Sequence, residues 1–121
     1  MGSPLTVAKA YLEAFAAKDI DALPGFFGDK FRFDGPMMQF DSADAFTGML
    51  REMAQGWVCE HKISREIEAG DEAVLAYDLV MSAPIAQTVP MFEWVRVENG
   101  KITDIKLMFD TAKMTMPGEG A

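Results

Sequence analysis

The sequence predicts an α+β domain in which three N-terminal helices pack on a strongly curved, mostly antiparallel sheet, together forming a cone-shaped barrel. Three observations predict it. Helical periodicity and helix-start signals are confined to the chain before Gly56. From Trp57 onward the pattern is period-two alternation. An Asn99-Gly100 pair then separates two runs rich in β-branched residues, where a hairpin needs positive φ. A curved sheet against helices leaves a conical cavity rather than a solid core. Nine phenylalanines and ten methionines are available to line it.

The first helix starts at Ser3 as N-cap, with Pro4 at the position where a missing N–H costs nothing. Leu5, Ala8, Leu12 and Phe15 recur at helical spacing, and Tyr11 joins that stripe. Asp19 caps a shorter second helix through Phe27, with a kink or 3₁₀ turn at Pro24. Phe31 to Asp34 alternates as a short strand and stops at Gly35-Pro36. Asp41 or Ser42 opens a third helix that presents Phe46, Met49, Leu50 and Met53 and ends near Gly56. In the next strand Trp57, Cys59, His61, Ile63, Arg65 and Ile67 share a face. Ala69-Gly70-Asp71 turns the chain into a strand from Glu72 to Ser82. Leu75, Tyr77, Leu79 and Met81 lie on one side of it, with Ala76, Asp78 and Val80 on the other. Ser82-Ala83-Pro84 breaks that strand before the final hairpin, Gln87 to Asp110.

Two registers compete in that hairpin. A two-residue Asn99-Gly100 loop pairs Glu98 with Lys101 and sets Glu93 beside Lys106, a solvated ion pair. A three-residue loop with Gly100 in a bulge sets Glu93 opposite Ile105 and Met91 opposite Leu107, turning the acid inward. In the bulged register Val80, Phe92, Trp94 and Ile102 crowd onto the outer face, too apolar for water, and a homodimer through that face is expected.

At 121 residues the chain reads as one domain, 1–121, with a loosely held tail at 115–121 carrying Pro117, Gly118 and Gly120. No run of about 18 apolar residues predicts a membrane span. MGSPLTV lacks the basic and apolar regions of an export signal, and the lone Cys59 fits a reducing compartment, so a cytoplasmic location is expected. A net charge of −8 argues against nucleic acid and anionic membrane surfaces as partners. One histidine and one cysteine cannot make an ordinary zinc site, and no Gly-rich loop with a lysine suggests a phosphate site. No metal is expected.

His61, the sole histidine, reads either as a proton-transfer or ligand-contacting group or as a neutral core imidazole. Tyr11 and Tyr77 read as donors to a ligand carbonyl or as core tyrosines with their hydroxyls at the rim. Glu93, if buried, is pushed toward its protonated form and can donate a hydrogen bond. Asp34 is either a pocket base or the polar end of a strand. Core or cavity lining is expected from Phe15, Phe31, Phe33, Met37, Met38, Phe46, Met49, Met53, Trp57, Leu79, Met81, Met91, Leu107 and Phe109. Cys59 and His61, roughly 6.5 to 7 Å apart along one strand face, form a conceivable thiol–imidazole dyad with no third orienting group in sight.

Four stretches carry a resemblance over nearly the whole chain: VAKAYLEAFAAKDIDALPGFF, FRFDGP, DSADAFTGMLREM and EWVRVENGKITDIKLMFD. In them the sequence resembles the nuclear transport factor 2-like (NTF2-like, cystatin-like) superfamily, in its SnoaL-like and ketosteroid-isomerase-like branch. That resemblance implies the cone-shaped fold and a small, largely apolar ligand. It also implies cofactor-independent proton transfer beside a carbonyl, as isomerisation, cyclisation or elimination. Tyr11 matches the family's helix-one tyrosine and Glu93 its buried acid, which favours the bulged register. Gly35 stands where the isomerases carry their basic aspartate, with Asp34 as its neighbour. His61 or Asp34 is then the base, and Tyr11 and Glu93 steady the enolate. The other reading is a non-catalytic ligand-binding or dimerisation module of the same fold.

Overall fold

A computed structural model describes residues 3–116. Helix α1 spans Pro4–Ala16. The Ser3 hydroxyl accepts from the Thr6 amide at 3.2 Å, as its N-cap position predicts. The second helix is a 3₁₀ helix over Ile20–Phe26 with Pro24 inside it, and Asp19 precedes it without a side-chain cap. Strand β1 runs Phe27–Asp34, four residues earlier than the alternation at Phe31 suggested, and β2 is the short Gln39–Phe40. Helix α2 spans Ala43–Ala54, capped by Ser42 on the Ala45 amide. Strands β3 (Val58–Ala69), β4 (Glu72–Ala83), β5 (Gln87–Glu98) and β6 (Lys101–Met108) follow, then a 3₁₀ turn at Thr111–Lys113.

The six strands form one curved, unclosed sheet in the order β2-β1-β6-β5-β4-β3, so β2 and β3 remain edges. All neighbours are antiparallel except β1 and β6, which run parallel. That pairing sets the N-terminal strand against the last one and gathers the helices on the concave face. Phe31 and Phe46 lie fully buried there, 5.1 Å between ring centroids, flanked by Phe27 and Phe33 at 4.6 Å from Phe31 and Phe46 respectively. Truncating either central ring removes about 3–5 kcal/mol of packing.

The hairpin takes neither predicted register. Asn99 (φ 53°) and Gly100 (φ 76°) form a two-residue turn, and Glu98 pairs with Lys101 and Val97 with Ile102. The ladder then slips by one, so that Arg96 pairs with Asp104 and Glu93 with Leu107. The extra residue is Thr103, on β6 rather than in the turn. Its hydroxyl bonds the Arg96 carbonyl at 3.4 Å. One inserted residue anywhere in the hairpin restores the same parity. Glu93 therefore faces inward as the bulged reading required, opposite Leu107 and not Ile105. Ile102, on the turn side of the bulge, is fully buried and does not join the outer face.

A second bulge falls between Ile63 and Arg65 on β3. It ends the alternation shared with His61: Ile67 turns out to 66% exposure. Glu66 and Glu68 instead meet α1, through Lys9 at 3.1 Å and the Leu5 amide at 3.0 Å.

Of the tail expected at 115–121, residues 117–121 lie outside the described residues. Thr115 is clamped by the Gln87 side chain, which bonds its carbonyl at 2.8 Å and its amide at 2.9 Å, and Met114 is buried. Among the described residues no helix is long and apolar enough to cross a membrane.

Candidate active site

The concave face, α1, α2 and the segment after β6 enclose a cavity of about 250 Å³. Its wall is almost wholly apolar: Leu12, Phe15, Phe33, Phe46, Trp57, Leu79 and Phe109 with seven methionines, Met37, Met38, Met49, Met53, Met91, Met114 and Met116. Pro36, Met37, Met38 and Glu52 are its exposed members and form the rim.

Four polar side chains reach this wall away from the rim. Three come from adjacent strands and are set by register. His61 on β3 pairs with Leu79, and Ile63 pairs with Tyr77 on β4. Tyr77 in turn pairs with Met91 on β5, and Leu75 with Glu93. His61, Tyr77 and Glu93 are thus successive diagonal neighbours on one face, within reach of long and aromatic side chains. The His61 ring meets the Tyr77 ring edge-on at 5.1 Å, and the Tyr77 hydroxyl donates to Glu93 Oε2 at 3.3 Å. Tyr11 comes from α1, which packs across the same strands.

Burial sets their electrostatics. Glu93 is 2% exposed, and desolvation lifts its pKa to about 7 against the opposing hydrogen bond from Tyr77. Loss of water drives His61 the other way, to about 4, so the imidazole is neutral at pH 7. Both tyrosine hydroxyls are held well above their ordinary value, first by burial and then by the Glu93 charge. The site therefore offers a carboxyl that exchanges a proton at neutral pH, a neutral imidazole and two phenolic donors. Burial also pushes the Cys59 thiol up, against the pull of Lys18, which keeps it protonated and removes the nucleophile a thiol–imidazole dyad needs.

A model of the SnoaL-like domain matches residues 8–105. The chain belongs to the SnoaL-like domain family. A comparison with curated proteins gave no match. Among solved structures, this SnoaL-like domain is similar to a protein from Shewanella putrefaciens CN-32 proposed to be a SnoaL-like polyketide cyclase. The TM-score is 0.85 at 17% identity, over 94% of this chain and 84% of that one. It is also similar to an LEH-like epoxide hydrolase of M. tuberculosis, with TM-score 0.81 at 21% identity over 92% and 85%. An NTF2-like protein from Cytophaga hutchinsonii gives 0.79 at 19% over 93% and 94%. At these identities the likeness shows the fold alone.

Within the SnoaL-like domain the cavity collects His61, Tyr11, Glu93 and Tyr77, together with Phe15, Phe33, Met38, Met49, Met53, Trp57, Leu79, Met91, Leu107 and Phe109. Three expected residues fall elsewhere. Asp34 is exposed, because alternation from Phe33 aims it at the outer face, where it stands in register with Lys106. Phe31 belongs to the aromatic core under α2, and Met81 is buried outside the lining. Tyr77, expected only as a donor to a ligand carbonyl or as a core tyrosine, instead donates to Glu93. Sequence reasoning missed Met114 and Met116, which follow the last strand with no periodic signal. Their only herald was Gln87, a polar residue placed to clamp a returning chain.

Proposed function

We propose that this SnoaL-like domain binds a small, largely apolar molecule in the cavity. There it moves a proton at a carbon next to a carbonyl, without a cofactor, in an isomerisation, cyclisation or elimination. One observation carries the reading: a buried carboxyl, Glu93, stands in an apolar cavity with a pKa of about 7 and the Tyr77 hydroxyl on one oxygen. A general base works best when its pKa is near the operating pH. Glu93 therefore replaces Asp34 as the base, and His61, neutral with a pKa of about 4, is the weaker candidate. The Glu93 carboxylate takes the proton from the carbon, leaving an enolate. The Tyr11 hydroxyl donates to the enolate oxygen, and protonated Glu93 returns its proton to the same or another carbon.

The test is deuterium exchange at the α-carbon of 2-tetralone, followed by NMR. Exchange above the protein-free rate is expected. Glu93→Gln should lower it by about 10²-fold or more, and Tyr11→Phe by about 10²-fold. Wild-type rates in both variants would exclude the assignment. Binding with no acceleration would leave a non-catalytic ligand-binding module.

The outer sheet face carries Phe92, Trp94 and Met108 at 53%, 45% and 40% exposure, on the neighbouring strands β5 and β6. We infer a homodimer through this surface, with Val80 beside it on β4 and without Ile102.

A further inference from the structure

We propose that the ligand of the cavity is an uncharged compound of one or two rings carrying a single hydrogen-bond-accepting group, and that the cavity rejects carboxylates and phosphates. This rests on the reading of the cavity as the site of proton transfer.

The charge inventory carries it furthest. Among the described lining residues there is no lysine or arginine, and the acids are Glu93, deep inside, and Glu52 at the rim. Cations with acidic partners among the described residues spend themselves on the outside: Lys9 on Glu66, Arg51 on Asp21, Lys62 on Glu60 and Arg96 on Asp71. An anion entering the cavity would lose its water, meet no countercharge and lie against a carboxylate. The whole chain, at −8, repels it before it arrives. Donors, by contrast, are plentiful: the Tyr11 hydroxyl, a His61 ring N–H and Glu93 when protonated. They suit a ligand that accepts. An ammonium group has no lone pair to offer them, must shed its water to enter, and finds Glu93 as its one anionic partner inside the rim, beside the neutral acceptors of His61 and the tyrosines.

Size follows from volume. An apolar cavity of about 150 Å³ holds benzene, so the 250 Å³ here encloses about ten non-hydrogen atoms. A fused tetracycle would protrude past Met37 and Met38. Methionines make up much of the wall and are flexible, so the outline of the ring is tolerated and charge is what discriminates.

Three bicyclic compounds of matched size test this by calorimetry at pH 7: 2-tetralone, tetrahydro-2-naphthoate and protonated 2-aminotetralin. The ketone is expected to bind, with the carboxylate and the ammonium each at least about 30-fold weaker. In Glu93→Gln, which removes the charge and keeps the shape, the carboxylate deficit should shrink. Met53→Trp, which fills the cavity, should abolish ketone binding. Affinity of either ion within about threefold of the ketone overturns the inference and leaves proton transfer standing. Undiminished ketone affinity in a folded Met53→Trp places the ketone elsewhere and also overturns it. Ketone binding without deuterium exchange rejects proton transfer and keeps the charge selectivity. No binding by any of the three overturns both.

Discussion

Glu93 and His61 face one cavity, yet burial displaces their proton affinities in opposite directions. The folded chain holds the Glu93 proton more tightly than the unfolded chain, from 4.5 up to about 7. Its contribution to stability is complete below about pH 4.5 and lost as pH rises to about 7, up to roughly 3 kcal/mol at 1.36 kcal/mol per pKa unit. For His61 the folded value is depressed from 6.5 to about 4, so its contribution is present above pH 6.5 and lost as pH falls toward 4. The two slopes oppose each other in between. Glu93→Gln should unmask stability that rises from pH 4 to 6.5, and His61→Gln stability that falls from pH 4.5 to 7. Urea denaturation across this range reads both. Parallel profiles for wild type and the two variants would mean that neither group is buried as described. The acid and the imidazole were visible in the sequence as residue types on candidate faces. The rise of Glu93 was expected only on condition that the acid is buried; its burial and the fall of His61 were not legible, because desolvation depends on what the other strands bring alongside.

Turn chemistry and register separate at the level of the hairpin. Asn99-Gly100 announced the turn in the sequence, and both residues adopt the positive φ that this pair tolerates. Nothing announced the bulge at Thr103, since a threonine in a strand has no positional signature. Yet the bulge aims Glu93: without it the two-residue loop would carry Glu93 to a position opposite Lys106, in water. Deleting Thr103 should therefore cost the cooperative fold, seen as loss of a sigmoidal thermal transition. Thr103→Ala, which keeps the extra residue and loses only the hydroxyl's exposed bonds to the Arg96 carbonyl at 3.4 Å and to Asp104 Oδ2 at 3.0 Å, should cost no more than about 1 kcal/mol. A deletion variant that melts like wild type would show that the register is set elsewhere. The bulge between Ile63 and Arg65 acts likewise on β3, bringing Glu66 and Glu68 under α1 and sending Ile67 outward. Period-two counting is right only as far as the first bulge.

On the scale of the whole molecule, a curved, unclosed sheet divides its side chains between two surfaces with different work. The concave one makes the cavity. The convex one keeps Phe92, Trp94 and Met108 in water, flanked by charges of both signs at Lys106, Arg96 and Asp104. That mixture suits an isologous contact, in which the same patch meets itself. Light scattering at micromolar concentration should report twice the chain mass, and Trp94→Arg should halve it without unfolding the chain. A wild-type monomer would refute the dimer and leave the cavity untouched. Closure also belongs to this scale. The chain returns after β6 and is pinned through Thr115 to Gln87, so Met114 and Met116 complete a wall that the strands leave open.

The sequence by itself determined the main elements, their order and their polarity, though not the short β2, the start of β1 at Phe27 or the turn at Thr111–Lys113. Caps at Ser3 and Ser42, the Asn99-Gly100 turn and the alternation in β4 and β5 depend on neighbours a few residues away. It also determined most of the cavity wall, since aromatic and methionine side chains on an inward face have nowhere else to go. Tertiary structure decided the chemistry. The diagonal of His61, Tyr77 and Glu93 depends on the relative registers of three strands, whereas the outward aim of Asp34 follows the alternation of β1 that the sequence already carries. The β3–β4 and β1–β6 pairings carry register shifts while β4–β5 runs without one, and a bulge is chosen by the packing of the assembled sheet rather than by the residue that occupies it.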